Sequence, residues 1–144
     1  MTTASSFTLA KMCVIEESQP IVLPEEFLKA LQPDGKKYAI MILAPNTKII
    51  RIIPTNSPEV AKITINIGRL SPDFLRRMGS IFIRLGIKTL YSTGLCFTQE
   101  SCSYEGYVDS TELENIPLEV IKEEFSQIEG VTSVQIDMLK VDGI

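Results

Sequence analysis

Apolar and polar residues alternate between positions 62 and 67, and the pattern then changes to that of a helix. The alternation places three isoleucines on one side of the chain, which predicts a strand with one apolar face. Ser71 then suits an N-cap and Pro72 the first helical position, and apolar side chains recur every three or four residues up to Leu85. Gly86 suits a left-handed C-terminal cap. The sequence therefore predicts a strand, a turn and a helix between residues 63 and 86.

Two more strands, a second helix and a last strand are predicted after this unit. Strands are expected at residues 88–97 and 102–109, separated by a hairpin-length turn. Pro117 begins a helical apolar stripe that ends at Gly130, and residues 131–141 alternate again. The order is βαββαβ, which predicts a ferredoxin-like α+β fold with four antiparallel strands and both helices on one face.

The first part of the chain is predicted to be a small β-rich module. A short helix is expected at residues 25–31, and a turn at residues 32–35. Residues 54–58 read PTNSP, and we interpret them as a linker because proline is unfavourable within a central strand. The chain is therefore divided into a β-rich module of residues 1–56 and a ferredoxin-like domain of residues 57–144. Strands of the module are expected at residues 7–15, 38–43 and 48–53.

Length, composition and charge limit the classes of protein to which this chain can belong. Its 144 residues are enough for one ordinary domain or two small ones. The net charge of −4 gives no overall electrostatic footprint for nucleic acid. No apolar run has membrane-spanning length, and the first residues lack the apolar segment of a signal peptide. We expect a cytoplasmic protein without a membrane partner, and the richness in isoleucine fits a thermophile.

No catalytic motif is recognisable in the sequence. Histidine is absent, and so are the nucleophile elbow, the P-loop and the dinucleotide-binding fingerprint. The three cysteines do not have the spacing of a zinc site. We therefore expect a protein that is not an enzyme and that has no metal and no cofactor.

Two of the cysteines, Cys96 and Cys102, flank the hairpin predicted between residues 97 and 102. A five-residue connection would place them opposite each other on paired strands, within reach of a disulfide. Two reduced, buried thiols are the favoured alternative, since a cytosolic mesophile keeps thiols reduced whereas a hyperthermophile can retain a bridge. Both interpretations stay open on the sequence alone.

Three short motifs in the second part occur together at the spacing of a known family. They are Ser71-Pro72-Asp73-Phe74-Leu75 after an apolar strand, Leu85-Gly86-Ile87 at the helix end, and Glu129-Gly130-Val131 before the last strand. With these motifs, residues 60–141 resemble the ACT domain. The resemblance implies paired domains that bind an amino acid between them and thereby regulate an enzyme or a transcription factor.

The resemblance implies a ligand site at the turn between the first strand and the helix. Arg69 and the backbone N–H groups of the helix start would meet the ligand carboxylate, and Asp73 or Asn66 would accept from its ammonium group. Residues 91–93 of a partner chain would form the remaining wall. The full set of expected ligand-binding residues is Asn66, Arg69, Leu70, Ser71, Asp73, Tyr91, Ser92 and Thr93.

The turn departs from the family pattern at two positions. Asp73 stands where the family has a glycine, and Leu70 stands where it has an acidic residue. A carboxylate at Asp73 would repel a ligand carboxylate held in the usual pose. The alternative is that Asp73 is a plain first-turn carboxylate that favours the helix N-terminus. Arg76, Arg77 and Arg84 are expected to pair with carboxylates on a solvated helix face.

A second similarity covers the first third of the chain. Leu23-Pro24-Glu25, the turn glycine Gly35 and Ile52-Ile53-Pro54 resemble the AbrB-type (SpoVT/AbrB-like) swapped-hairpin domain. The resemblance implies an interleaved dimer that often binds DNA, whereas the neutral charge of this part favours a dimerisation or docking module. If it binds DNA, the available phosphate partners are Lys29, Lys36, Lys37, Lys48 and Arg51.

These observations lead to one preferred function and two alternatives. The preferred function is a homo-oligomer, most simply a dimer, that senses a small molecule, an amino acid, through paired ACT-like domains. The alternatives are an AbrB-like DNA-binding transcriptional regulator and a non-catalytic docking subunit. A homo-oligomer is expected because both resembled families pair and because the two edge strands of the predicted sheet need covering.

Overall fold

A computed structural model describes residues 8–32, 35 and 37–141 of the chain. The chain forms two compact units, Met1–Lys37 and Tyr38–Ile144. The sequence predicted a division after residue 56, so the structure differs in the placement of residues 38–56, which belong to the second unit.

The first unit contains one helix, α1 (Glu25–Leu31), as the sequence predicts. Two glutamates occupy its first turn, where they favour the positive end of the helix dipole. Lys11 Nζ lies 2.9 Å from a carboxylate oxygen of Glu26, and the side-chain hydrogen bond from Lys11 lowers the pKa of Glu26 although burial acts in the opposite direction. Gly35 has φ 71° and its N–H donates to Gln32 O at 3.3 Å, which fits the predicted turn. Pro33 and Asp34 of that turn, and Lys36, lie outside the described residues.

The strand predicted at residues 7–15 is wrong for residues 8–15, which have no regular structure. Residue 7 lies outside the described part of the chain. Apolar side chains of this segment are exposed, and Met12 reaches 96% exposure. A strand must pair its N–H and C=O groups with another strand, and the described residues of the first unit contain none. A strand-like composition is therefore not sufficient here.

The second unit has two antiparallel sheets and two helices, so the chain as a whole is α+β. The smaller sheet consists of two strands, β1 (Tyr38–Ala44) and β2 (Ile49–Thr55). The elements that follow are β3 (Glu59–Ile67), α2 (Pro72–Leu85), β4 (Tyr91–Thr98), β5 (Ser101–Asp109), a 3-10 turn (Ser110–Leu113), α3 (Leu118–Ser126) and β6 (Val131–Lys140). The larger sheet has the order β4-β5-β3-β6, and all neighbouring strands are antiparallel.

The unit from β3 to α2 forms as the local sequence predicts. Ile63, Ile65 and Ile67 are buried on one face of β3, and α2 then begins where Ser71 Oγ accepts a hydrogen bond from the Phe74 N–H at 3.0 Å. The helix ends at Gly86, which has φ 72°. These signals lie within a few residues of the structures they specify, which explains why the prediction is confirmed.

One hydrophobic core joins the larger sheet to α2 and α3. Ile63 and Ile65 of β3 are inaccessible to solvent, and so are Ile121 and Phe125 of α3. The ring of Phe82 in α2 lies 5.0 Å from that of Phe125, measured between centroids. Because residues of both helices pack in the same cluster as the isoleucines of β3, both helices contribute to a single core.

β4 and β6 are the edge strands of the larger sheet. The first strand after α2 begins at Tyr91 rather than at the predicted residue 88. Residues 88–90 instead lead into the strand, and the Lys88 N–H donates to the Glu112 carboxylate at 2.9 Å. Residues 92–98 of β4 are all exposed, so most of this edge strand is accessible to solvent.

Cys96 and Cys102 form a disulfide across the β4–β5 hairpin. The two residues are opposite each other in the strand register, with an S–S distance of 2.07 Å and a Cα–Cα distance of 3.9 Å. Cys102 is buried and Cys96 is exposed. The structure therefore has the bridge, and it does not have the alternative arrangement of two buried thiols. Cys13 is a free, exposed cysteine of the first unit.

The predicted linker at residues 54–58 is a tied corner. Pro54 lies within β2 opposite Ala39, a position that a strand of a two-stranded sheet tolerates. Thr55 is 2% exposed, and the Asn56 N–H donates to Asp109 Oδ2 at 2.9 Å. Ser57 Oγ lies 2.9 Å from Ser110 Oγ in the 3-10 turn. Interpreting this segment as a linker was wrong because its polar groups are paired within the unit.

Asp109 is the acceptor at the centre of this corner. It is 6% exposed, and it also accepts hydrogen bonds from the backbone and the hydroxyl of Thr111. Burial alone would raise the pKa of Asp109, but the hydrogen bonds from Thr111, Asn56 and Ser57 outweigh it, and the pKa is lowered. The ionised carboxylate therefore stabilises the junction between the hairpin and the larger sheet.

We expect Asp109→Asn to lower the free energy of unfolding at pH 7 by about 1.5–3 kcal/mol, because hydrogen bonds to a charged group are lost. The pKa is depressed below its usual 3.8. The contribution is thus present above pH 3.8 and disappears as the pH falls through the lower folded-state pKa. Urea unfolding measured across this pH range should show the deficit of the variant shrinking in acid. Glu114→Gln, which neutralises an exposed carboxylate of the same loop, is the control; a deficit at Asp109 that is constant with pH would contradict this account.

Candidate functional site

An open pocket of about 690 Å³ lies where β3 turns into α2. We call it the turn pocket. Its walls come from three places: residues 67–69, 71, 73, 74 and 77, Glu100 at the tip of the β4–β5 hairpin, and residues 128–130 between α3 and β6. The pocket therefore lies at the site that the sequence predicted, but two of its three walls come from distant parts of the chain.

Two close contacts hold the turn in place. The Gly68 N–H donates to Gly130 O at 3.2 Å, which ties the end of β3 to the loop before β6. On the other side, Leu70 lies against Gly94 of β4. A Cβ atom at Gly94 would lie 2.7 Å from Leu70 Cδ1, so the glycine leaves the space that Leu70 fills. Gly94 is therefore a point of close approach between β4 and the turn.

The start of α2 offers few backbone donors to a ligand. Pro72 has no N–H, the Phe74 N–H donates to the Ser71 hydroxyl, and the Leu75 N–H donates to Ser71 O. Among residues 72–75, these contacts leave the Asp73 N–H for an anion. Side chains must therefore supply most of any recognition of a carboxylate, contrary to the expectation from the helix start alone.

Asp73 is paired within its own helix. Its Oδ2 accepts a hydrogen bond from Arg77 Nε at 2.9 Å, and its Oδ1 accepts one from Arg76. The hydrogen bond from Arg76 lowers the pKa of Asp73 most, and Arg77 lowers it further although burial acts in the opposite direction. Both oxygens of the carboxylate are engaged. This arrangement supports the alternative in which Asp73 is a first-turn charge, and it confirms that Arg76 and Arg77 pair with a carboxylate.

Apart from Asp73 and Arg77, the charged residues that line the turn pocket are one arginine and two glutamates. Arg69 is exposed at the end of β3 and supplies a guanidinium group, whereas Glu100 and Glu129 supply carboxylates from the opposite walls. Such a set complements a small zwitterion that carries one anionic and one cationic group. Glu100 and Glu129 were not assigned to the site from sequence, since their approach depends on strand register and on the position of the α3–β6 loop.

Of the predicted ligand-binding residues, the structure brings Arg69, Ser71 and Asp73 together. Asn66 instead donates to Ser133 Oγ at 2.8 Å, and Leu70 packs against Gly94. The other predicted residues, which lie on β4, do not line this pocket within one chain. Because they were assigned to a partner chain, that assignment stays a prediction. These β4 residues are Tyr91, Ser92 and Thr93.

Tyr91 and Thr93 line a second, smaller cleft of about 430 Å³ between β4 and the β1–β2 hairpin. Arg51 of β2 lies 4.8 Å above the ring of Tyr91, measured from its guanidinium carbon to the ring centroid. Beside them, Lys62 Nζ is 3.4 Å from Glu105 Oε2. Burial works against the charged form of Lys62, but Glu105 and Tyr107 outweigh it and raise the pKa of Lys62. The two charged residues that line the cleft, Arg51 and Glu105, are thus already engaged by Tyr91 and Lys62.

The residues predicted to contact DNA are distributed over both units. Lys29 belongs to α1 and pairs with Glu25 at 3.3 Å, while Arg51 stacks on Tyr91 in the second unit. Lys48 is exposed at the β1–β2 turn. Lys37 precedes β1, and Lys36 lies outside the described residues. Two of these cations are therefore already engaged by groups of the protein.

The described residues contain neither a metal-binding cluster nor a membrane-spanning helix. No group of three or more histidine, cysteine, aspartate or glutamate side chains is arranged to hold a metal ion in residues 8–32, 35 and 37–141. In the same part of the chain, no helix has the length and apolar character needed to cross a membrane. Comparison with protein-family models and with curated proteins found no match to this sequence.

Gly130 lines the turn pocket, and its substitution tests whether the backbone conformation at this position requires glycine. Gly130 has φ 92°, and a Cβ atom there would lie 3.5 Å from Ile67 Cγ1. We expect Gly130→Ala to lower the free energy of unfolding by about 1–2 kcal/mol, since a side chain is strained at positive φ. Gly79→Ala within α2 is the matched control: no atom lies within 4 Å of its Cβ, so it should raise stability by about 0.5–1 kcal/mol. Equal effects in chemical denaturation would contradict this interpretation of Gly130.

Proposed function

We propose that this protein is a non-catalytic regulatory protein of the cytoplasm that binds an amino acid in the turn pocket through paired ACT-like domains. The observation that carries the proposal is the composition of that pocket: an exposed guanidinium group at Arg69 stands across from carboxylates at Glu100 and Glu129.

The arrangement of the second unit supports a ferredoxin-like, ACT-like fold. Its elements follow one another as β3-α2-β4-β5-α3-β6, and its sheet has the order β4-β5-β3-β6 with antiparallel neighbours. α2 and α3 share one core with β3. The β1–β2 hairpin belongs to the same unit and precedes these six elements. It is an addition to the βαββαβ order, and the corner at Asp109 joins it to the larger sheet.

The proposed pose follows from which charges are already paired. The ligand carboxylate is held by Arg69 and by the Asp73 N–H, because the other first-turn groups are engaged. The ligand ammonium group is accepted by Glu100 or Glu129 rather than by Asp73, whose oxygens accept from Arg76 and Arg77. In this pose the ligand ammonium group is therefore bound at the opposite walls of the pocket and not at the helix start.

We further propose that the protein is a homodimer. β4 is an edge strand whose residues 92–98 are exposed, and Leu95 and Phe97 are among its exposed apolar side chains. An uncovered edge strand presents unpaired N–H and C=O groups that favour pairing with another chain. A second copy placed along β4 would bring residues 91–93 towards the site, as the ACT resemblance implies.

The DNA-binding alternative has less support. Its candidate cations include Lys29, which is paired with Glu25, and Arg51, which stacks on Tyr91. Since DNA affinity depends on cations that neutralise phosphates, engaged side chains and a net charge of −4 both disfavour it. A sequence-specific complex that weakens steeply with salt in a gel-shift assay would reverse this ranking.

A thermal-shift screen of the proteinogenic amino acids, followed by calorimetry, tests ligand binding. A ligand that binds only the folded state raises its stability, by about 2.7 kcal/mol at a concentration one hundred times Kd. We expect Arg69→Gln to weaken binding of a hit by about tenfold or more, because a charge-assisted hydrogen bond is lost. Arg84→Gln, which removes an arginine of α2 that does not line the turn pocket, should leave the affinity unchanged.

Asp73→Asn separates the two roles considered for that carboxylate. We expect it to leave the amino-acid affinity unchanged and to lower thermal stability, because the charge acts on the helix start and on Arg76 and Arg77. A loss of affinity comparable to that of Arg69→Gln would instead indicate that Asp73 accepts a hydrogen bond from the ligand ammonium group. The absence of any hit in the screen would favour a docking subunit.

Light scattering coupled to size exclusion tests the dimer. At micromolar concentration we expect a mass of twice the 16.0 kDa of one chain. Thr93→Pro should shift the equilibrium towards the monomer if β4 pairs across the interface, because proline removes a ladder donor from that edge. Thr132→Pro is the matched control, because it introduces a proline into β6, the edge strand that is not proposed to form the interface. A monomer in the unmodified protein would overturn the dimer and the partner-chain wall together.

A further inference from the structure

The Cys96–Cys102 disulfide lies beside the turn pocket. It joins β4 to β5 at the last pair before a register shift, beyond which Thr98 pairs with Ser101, and Glu100 in the hairpin tip lines the pocket. Cys102 is also paired in register with Ile67, the last residue of β3 and another lining residue. The bridge therefore closes the short loop that forms one of the three walls.

The hairpin tip approaches the turn closely. A Cβ atom at Gly68 would lie 3.6 Å from Glu100 O, so a side chain added at this position of the turn would contact the backbone of the tip. Within the tip, the Glu100 N–H donates to Thr98 Oγ1 at 3.2 Å. The strand register shifts between Cys96 and Thr98, which leaves Phe97 outside the regular pairing and 68% exposed. The bridge therefore restrains this wall together with the Thr98–Ser101 pair and the Glu100–Thr98 hydrogen bond.

We propose that the Cys96–Cys102 disulfide is a redox-sensitive element that fixes the hairpin wall of the turn pocket, so that reduction by a dithiol loosens the wall and weakens ligand binding. The effect on binding rests on the function proposed above. The effect on the wall does not, because it follows from the position of the bridge. The proposal assigns the disulfide a role in regulation as well as in stability.

The two sulfurs differ in access, which sets the direction of the chemistry. Cys96 is exposed and Cys102 is 3% exposed, so an external thiolate reaches the Cys96 sulfur. Attack there breaks the S–S bond, forms a mixed disulfide at Cys96 and releases Cys102 as a thiolate that takes up a proton. The second thiol of the dithiol then displaces Cys96. Two electrons and two protons pass to the protein, and the dithiol becomes a disulfide.

Hydrogen exchange measures the wall directly, without a ligand. The full-length chain carrying Cys13→Ser, which removes the free cysteine, is compared before and after reduction with dithiothreitol, and alkylation confirms that both thiols form. We expect backbone amides of residues 97–101 and 68–70 to exchange at least about tenfold faster after reduction, whereas those of β3 residues 61–65 keep their rates. Unchanged exchange at the tip in verified reduced protein would overturn the proposal.

A variant without the bridge separates redox chemistry from general damage by the reductant. Cys96→Ser combined with Cys102→Ala should show the fast exchange in both the presence and the absence of dithiothreitol. Retained slow exchange at the tip of this variant would contradict the proposal, because the wall would then not depend on the bridge. Unchanged exchange in β3 verifies that the fold is intact.

Calorimetry with each proteinogenic amino acid in both redox states completes the test. For an amino acid that binds the oxidised protein, we expect reduction to raise Kd by about fivefold or more. An unchanged Kd with a loosened tip would overturn the coupling and leave the proposed function standing. If none binds in either state, the proposed function fails, and exchange at residues 68–70 decides the redox proposal: faster exchange on reduction supports it, and unchanged exchange overturns it.

Discussion

Burial of one face of β3 against α2 and α3 is the contact on which the second unit depends. β3 is a central strand with β5 on one side and β6 on the other, and its alternate residues Ile63 and Ile65 are inaccessible to solvent. Shifting the register of this strand by one residue would exchange its buried isoleucines with Lys62 and Thr64. The alternation thus fixes which face of the strand carries the helices, and the positions of its neighbours follow.

The candidate site is a consequence of where that buried strand ends. β3 stops at Ile67, and the next residues must leave the sheet and enter α2 within a few positions. The neighbouring strands β5 and β6 begin at about the same level, where Cys102 and Val131 are both paired with Ile67, so the hairpin tip at Glu100 and the loop at Gly130 lie on either side of the turn. The pocket is the space between the turn and these two flanking segments. Its charges then come from loop residues, whose replacement does not disturb the core.

The sequence predicted the elements whose signals are local. Ser71 at the N-cap and Gly86 at the C-cap bound α2, and both act on adjacent residues. The strand predicted at residues 7–15 failed because pairing depends on a partner elsewhere in the chain. The linker predicted at residues 54–58 failed for a similar reason, since the acceptor of Asn56 is Asp109, 53 positions away. The prolines of this segment indicate that it is irregular, but they do not show which groups elsewhere in the chain it contacts.

The same distinction separates the two halves of the turn pocket. Arg69 and Ser71 were found because they lie in the turn itself, between recognisable strand and helix signals. Glu100 and Glu129 are distant in sequence, and only the β3–β5 register and the α3–β6 loop bring them to the turn. For Asp73 the sequence left two roles open, because it did not show that the carboxylates expected to pair with Arg76 and Arg77 include Asp73 itself.

The tied corner at Asp109 also affects how this chain can be divided or recombined during evolution. A carboxylate that is 6% exposed takes one of its hydrogen bonds from Asn56, which precedes β3. Genetic recombination that joined a new segment directly to β3 would keep the carboxylate and discard that donor. The recombined protein would then bury the carboxylate with one hydrogen-bond donor fewer, which would lower its stability. Inheritance of the βαββαβ unit together with its preceding hairpin avoids that cost, so the two segments form one heritable unit although the hairpin has its own sheet.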